Sequence, residues 1–404
     1  MNRSEEIARA CIRLTRHLES EIRRLARADA EHGIKPFPRE IKSAVEEYRN
    51  ADEGFRDIHN IGSADVGSRL TVRADAISLS DDELNDIFRQ KVYPRIFSGE
   101  NLSSVDNPEV LVLGGQPGSG KSFMVPDLLA SFEGRGGAVY IGTADTFMKY
   151  LPRYDEIVRH DDTATHLLID DAWKLMSKSV DHAIDNRYNV LLEQTLMNHR
   201  GAARMIDRFV ERRYTATVKT LAVPPPESRL STRTRYMEQR DTTGIGLLTP
   251  LEIHDAGVSG ATETIRMLQS DNPPVKVNGL AVSSREGDLY HIQRDASGEW
   301  PEPPRAAETL ETKRNEPLSA REARSFNERL GNFRDWVSRQ ARDDPLDAER
   351  WERLAREADD IEQHARPWVS VQDEAPSATG VSRVVDSGAD SPEVEDAGQD
   401  SEGQ

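Results

Sequence analysis

The clearest chemistry in the sequence lies in eight consecutive residues, Gly115-Gln116-Pro117-Gly118-Ser119-Gly120-Lys121-Ser122. Glycines at 115, 118 and 120 permit positive φ, so the loop can turn its backbone N–H groups inward around an anion. A helix that begins just beyond the loop adds partial positive charge beneath that anion. Lys121 can reach the β- and γ-phosphates of a nucleoside triphosphate, and the Ser122 hydroxyl can hold Mg²⁺. The spacing Gly-x4-Gly-Lys-Ser, with an apolar run before it and a helical pattern after it, is that of a phosphate-binding loop for ATP or GTP. Switches, motors and kinases all use such loops, so the neighbouring polar groups must decide the chemistry.

Asp145, in Ala144-Asp145-Thr146-Phe147, follows the second apolar run. A carboxylate there faces the ligand crevice at the carboxyl edge of a parallel sheet. It can take the proton of an attacking hydroxyl, or serve only as a helix N-cap. Glu193 closes the third run, in Val190-Leu191-Leu192-Glu193-Gln194-Thr195. It reads as a ligand of substrate hydroxyls or Mg²⁺-bound water, or else as a solvated strand end. Leu167–Asp171 resembles a Walker B strand, but the residues after it continue in a helical pattern. Asp170 and Asp171 therefore read as charges at a helix N-terminus. Arg229, Arg233 and Arg235 follow Pro224-Pro225-Pro226. They read as a lid that neutralises a transferring phosphoryl group, or as a solvated basic helix face.

The elements that must position these groups are strands alternating with helices. Apolar runs at Val110–Leu113, Ala138–Ile141, Val190–Leu192 and Thr217–Val223 are short and continuous, as buried parallel strands are. An antiparallel hairpin at Val275–Val282 and Asp288–Gln293 is expected to close the sheet. The fold class is thus α/β, a P-loop kinase-like, mainly parallel sheet flanked by helices. Ser80-Asp81-Asp82-Glu83 is a capping box, and Leu84, Ile87, Phe88 and Val92 follow it on one helix face. Pro126 is expected to kink or shorten the helix after the loop.

Outside this region, Ile7, Cys11, Leu14, Leu18, Ile22 and Leu25 recur at helical spacing. Past Pro301, Phe326, Leu330, Phe333 and Val337 define one amphipathic helix, and Trp351, Leu354, Ala358 and Ile361 another. The expected division is a helical extension and linker over 1–76, the kinase-like domain over 77–300, a helical hairpin over 301–370 and a disordered acidic tail over 371–404.

Composition narrows the setting. The chain has 404 residues, a formal net charge of −18 and one cysteine. A single thiol excludes an intrachain disulfide and a cysteine-based zinc site, and fits a cytoplasmic setting. No apolar run reaches the ~18–20 residues of a membrane span. The acidic balance argues against general nucleic-acid affinity.

The ordered set Gly115–Ser122, Asp145-Thr146-Phe147 with Pro152 downstream, Tyr188–Thr195 and Arg235-Tyr236 resembles the zeta toxin family. The resemblance spans roughly residues 79–297. It implies ATP-dependent phosphorylation of the sugar 3′-hydroxyl of UDP-N-acetylglucosamine, by the toxin of a toxin–antitoxin module. Carried over by position, it makes Lys121 and Ser122 the nucleotide and Mg²⁺ ligands and Asp145 the general base. Glu193 and Thr195 become substrate contacts, and Arg235 the lid arginine.

Four positions depart from the family pattern. Gln194 stands where the family has glycine. Met148 stands at the basic position, with Lys149 one place along. Leu248 replaces a second lid arginine, and a substrate-contacting glutamate near Ser177 is absent unless Asp181 serves. These departures leave open another hydroxylated acceptor (a nucleotide, dinucleotide or polynucleotide end), or a nucleotide-dependent interaction module with vestigial transfer. The resemblance also implies an antitoxin partner, for which residues 1–60 are a candidate segment in cis.

Overall fold

The computed structural model describes residues 79–369, apart from 100, 153, 161 and 163–167. The expected N-terminal helices with Cys11, the linker, and the acidic tail from 371 lie outside those residues. The described part is built on a six-stranded sheet of order β2-β3-β1-β4-β5-β6. Its strands are β1 Glu109–Gly114, β2 Val139–Ile141, β3 Val190–Gln194, β4 Thr215–Leu221, β5 Gly279–Ser284 and β6 Gly287–Gln293. All neighbouring pairs are parallel except β5–β6. β3 is buried along its whole length, as a central strand covered on both faces must be.

The register carries the functional consequence. Leu113, near the end of β1, pairs with Glu193 on one side and Lys219 on the other. The strand that feeds the phosphate loop therefore ends level with a carboxylate on β3. Strand order is also why Asp145 belongs to the same edge: β2 pairs with β3, and its exit leads straight into the segment carrying Asp145.

The helices are α1 Asp81–Ile87, α2 Tyr93–Ile96, α3 Lys121–Ala130, α4 Ala144–Phe147, α5 Tyr154–His160, α6 Ile169–Asp185, α7 His199–Val210, α8 Pro225–Thr243, α9 Leu251–Gln269, α10 Ala306–Asn315, α11 Ala320–Asp343 and α12 Ala348–Val369. Ser80 and Glu83 form the expected capping box at α1. One π turn, Phe88–Val92, joins α1 to α2, with the Tyr93 N–H donating to the Phe88 carbonyl. Pro94, which has no N–H and crowds the carbonyl four residues back, accounts for that widened turn.

Three expectations change in detail. The strand expected from Val275 starts at Gly279, because Val275 and Val277 are buried without joining the ladder. Pro126 does not shorten α3, which runs on to Ala130. Pro126 removes one bond, to the carbonyl of Ser122, and Ser122 is exposed at the first turn where water can serve that carbonyl. The Walker B-like segment gives no strand among its described residues, since Asp170 and Asp171 lie in the first turn of α6.

Two large cores result. The first fills one face of the sheet and includes Ala306, Ala307 and Leu310 of α10, while a smaller cluster of Leu113, Leu191, Leu221, Val125 and Val223 fills the other face beside α3. The second joins Leu230 and Tyr236 of α8 and Leu248 to the apolar faces of α11 and α12, whose antiparallel packing stacks Trp336 edge-on against Trp351. The C-terminal hairpin is thus built onto α8, the helix that carries the candidate lid.

Candidate nucleotide and phosphoryl-transfer site

The loop between β1 and α3 has the backbone that its glycines permit. Gly115, Gly118 and Gly120 have φ of 144°, 76° and 92°. A Cβ on Gly118 would stand 2.1 Å from the Ser228 carbonyl oxygen, so the loop rests directly on the backbone of α8. Pro117 meets Gly257 of α9 in the same way, with 2.9 Å between Pro117 Cδ and a Cβ built on Gly257. Gln116 and Ser119 are fully buried, so the loop is seated in the protein rather than draped over it.

Lys121 is buried, and its Nζ donates to the carbonyls of Gly115 (2.7 Å) and Gln116 (3.1 Å). Glu193 Oε1 is 3.8 Å from the same nitrogen. Burial pushes the Lys121 amine below the usual lysine range; Glu193 and Asp145 oppose that shift, while Arg235 and Arg314 add to it. Two acids and two further cations therefore surround this one ammonium closely enough to perturb it. The other oxygen of Glu193 accepts from Tyr140 Oη at 2.5 Å, and burial followed by the Glu193 charge raises the tyrosine's pKa.

Asp145 lies in the first turn of α4, which Thr143 and not Asp145 precedes as N-cap residue. Thr143 Oγ1 donates to Asp145 Oδ1 and orients that carboxylate. Asp145 is half-buried, and its charge reaches Lys121, Tyr140 and Tyr154. Thr195 is half-buried just beyond β3, where its hydroxyl accepts from Met197 N–H at 3.4 Å.

The three arginines of α8 divide. Arg229 pairs with Asp255 and with Asp360 of α12, the latter at 3.0 Å. Arg233 is fully buried, with Nε 2.8 Å from Glu357 of α12. Neither a solvated basic face nor a lid of three free arginines describes them, because carboxylates of the C-terminal hairpin cover two. Arg235 alone of the three faces the site, where Nη2 donates to Thr249 Oγ1 at 3.1 Å and Nε has no partner among the described residues. Leu248, at the position of the missing arginine, is buried in the second core. Met148 is buried, Lys149 is exposed beside the Tyr150 ring, and Asp181 is engaged by Arg208 at 2.5 Å.

Ser122 Oγ, Glu193 and Asp145 offer only oxygen ligands, the donor chemistry of Mg²⁺. Among the described residues no three His, Cys, Asp or Glu side chains gather into a cage. That donor set fits an ion shared with a nucleotide's phosphates. Three residues were not found by sequence reasoning. Phe123 is 89% exposed beside the loop, and Arg285 of the β5–β6 turn comes within 4 Å of where a Cβ on Gly120 would lie. The third, Arg314, contacts Gln116 across 198 residues, a separation at which no local pattern gives a signal.

The chain is similar to known proteins in sequence and in fold. Residues 95–295 match the family model described as Zeta toxin. Toxin zeta of Enterococcus hirae is 26% identical over 234 residues, 57% of this chain and 78% of that protein. Toxin zeta of Streptococcus pyogenes is 24% identical over 253 residues, 62% of this chain and 82% of that protein. A solved chain from the PezAT chromosomal toxin–antitoxin system of Streptococcus pneumoniae has the same fold, with a TM-score of 0.53 at 22% identity, over 64% of this chain and 98% of that one.

Proposed function

The chain belongs to the zeta toxin family through residues 95–295, and from that premise we propose that it is an ATP-dependent kinase of a sugar nucleotide such as UDP-N-acetylglucosamine. The observation that carries the reading is the grouping around Lys121: Glu193 at 3.8 Å, with Asp145 and Arg235 both within electrostatic reach. A phosphate-binding lysine, a carboxylate for the acceptor and a cation for the transferring group are the parts such a transfer needs.

In this reading Asp145 takes the proton of the acceptor hydroxyl as its oxygen attacks the γ-phosphorus. The bond from that phosphorus to the bridging oxygen breaks, and ADP leaves. Lys121 and Arg235 are aimed at oxygens that carry more charge in the transition state than before it, so their stabilisation is differential. The Thr143 hydroxyl orients Asp145, and Glu193, held by Tyr140, faces the acceptor side of Lys121. Ser122 would hold Mg²⁺, which supplies charge neutralisation between the phosphates. The exposed ring of Phe123 offers a face to the base.

As in the family, the biological role is that of a toxin restrained by an antitoxin, acting in the cytoplasm. No described helix is long and apolar enough to cross a membrane. A cis-acting segment in residues 1–60 lies outside the described residues.

A second acceptor class is favoured by one observation: Gln194 is buried beside Glu193, where the family has glycine. In that reading the bulkier residue at the end of β3 changes which acceptor the site takes. Incubating the full chain with ATP, Mg²⁺ and a panel of UDP-sugars, nucleotides and dinucleotides separates the two. Mass spectrometry should find a UDP-sugar gaining one phosphoryl group. Phosphorylation confined to another acceptor would reject the sugar-nucleotide reading and keep the kinase.

A further inference from the structure

Gln116, the second residue of the phosphate loop, is held from the far end of the described chain. Arg314, 3% exposed near the end of α10, donates from Nη2 to Gln116 Oε1 at 2.5 Å. Its Nη1 donates to the Val258 carbonyl (2.9 Å) and to Thr262 Oγ1 (3.0 Å) on α9. Trp368 of α12 fixes the Arg314 backbone by donating to its carbonyl at 2.8 Å. Gln116 spends its amide protons on the Val223 carbonyl (2.9 Å) and Ser228 Oγ (3.2 Å), which leaves only its oxygen for Arg314.

The donors then run one way. The Ser228 hydroxyl bonds His254 Nε2 at 2.8 Å, and His254 Nδ1 bonds Asp255 Oδ1 at 2.8 Å. Burial holds that imidazole below its usual pKa, so neutral histidine with its proton on Nδ1 satisfies both contacts. Asp255 in turn accepts from Arg229, which Asp360 of α12 also holds. Both ends of this chain of bonds reach helices beyond residue 295, where the family match stops.

Arg314 is the unusual member. Its partners are an amide, a carbonyl and a hydroxyl, and among the described residues no carboxylate lies within ion-pair distance. Burial lowers its guanidinium to a pKa of about 10, which still leaves it charged at neutral pH. Hydrogen bonds to neutral groups serve its Nη nitrogens, its Nε has no partner among the described residues, and only the more distant charge of Glu311 opposes its own. A buried charge without an ion pair is costly. A polyphosphate on the loop would be the counter-charge.

We propose that Arg314 is a positioning residue for the nucleotide: it fixes Gln116 and the loop, and sets a permanent positive charge behind the phosphates. This rests on the loop being a nucleotide site. The C-terminal helices then belong to the phosphate site and are not an appendage to it.

The test uses the full chain with ATP and Mg²⁺ in calorimetry, and thermal unfolding without nucleotide. Gln116→Glu gives Arg314 a carboxylate partner. Because it also removes the amide donors to the Val223 carbonyl and Ser228 Oγ, it should lower the melting temperature. With the Arg314 charge cancelled, it should weaken ATP binding at least about tenfold but AMP binding by less than about threefold, a split by phosphate number that a merely structural bond would not produce. Arg314→Met should weaken ATP binding about tenfold or more, with Arg314→Lys between it and the parent chain. ATP affinity within about twofold of the parent for Gln116→Glu would overturn the inference, even if Arg314→Met fails to fold. If the parent chain binds no ATP, the nucleotide-site reading fails, and the inference with it.

Discussion

The packing of the loop on α8 makes Gly118 and Gly120 unequal, and alanine at each should show it. Both have φ in the left-handed region, at 76° and 92°, where an L-residue costs about 1–2 kcal/mol. There the likeness ends. A Cβ on Gly120 would make ordinary contacts, 3.7 Å to Phe123 Cδ2 and 3.8 Å to Arg285 Nε. A Cβ on Gly118 would lie 2.1 Å from the Ser228 carbonyl oxygen and 2.9 Å from Thr232 Cγ2. The first of these is helix backbone and cannot rotate away, so loop and helix must separate. Overpacking of this kind adds about 1–3 kcal/mol. Gly118→Ala should therefore cost about 2–5 kcal/mol in urea unfolding, against about 1–2 for Gly120→Ala. Separation also stretches the Gln116–Ser228 bond, so Gly118→Ala should lose more ATP affinity than its neighbour. Equal unfolding costs, within about 0.5 kcal/mol, would refute the packing of loop on lid helix.

Other consequences follow from the buried charges. Leu248→Arg, which restores the family's residue, should destabilise the chain more than Leu248→Ala, itself expected to cost about 2–5 kcal/mol by its cavity. Urea midpoints decide it, and a stable, more active Leu248→Arg would show that the position still faces the site. Glu357→Ala leaves the fully buried Arg233 without its ion-pair partner and should cost about 3–5 kcal/mol. A loss under about 1 kcal/mol would show that Arg233 finds another acceptor. For pH, burial lowers the pKa of His254 and of His182 in the folded chain. The unfolded chain therefore takes up protons first, and stability should fall as pH drops from about 7 to 5. His254→Gln should flatten that fall; an unchanged slope would mean that His254 is not held neutral.

Some of this was legible in the residues and some was not, for physical reasons. Gly115–Ser122 announces its conformation because glycine and lysine at that spacing are needed within one turn of chain. The helix at Asp81 was legible through Ser80 and Glu83 for the same local reason. The strands were legible as runs, but their order was not. That Glu193 and Asp145 share an edge with Lys121 follows only from β3 lying between β1 and β2. The arginines of α8 misled, since composition marks a basic helix as solvated while Asp360 and Glu357 lie more than a hundred residues away. Leu248 looked like a loss from the site; packed with Leu230 and Tyr236 against α11 and α12, it is a gain to the second core. Arg314 gave no signal at all, because its meaning depends on a contact with Gln116 that only the fold creates.

The central claim is that the grouping around Lys121 transfers a phosphoryl group with Asp145 as base. The most direct test is a single-turnover experiment with γ-labelled ATP, Mg²⁺ and UDP-N-acetylglucosamine, run on the parent chain and on Asp145→Asn. ATP binding by both proteins is measured in parallel by calorimetry. The account predicts label on the sugar nucleotide with the parent chain, and its loss in Asp145→Asn while ATP binding is retained. Transfer at the parent rate by Asp145→Asn, or ATP bound by the parent with no label reaching any acceptor, would contradict it.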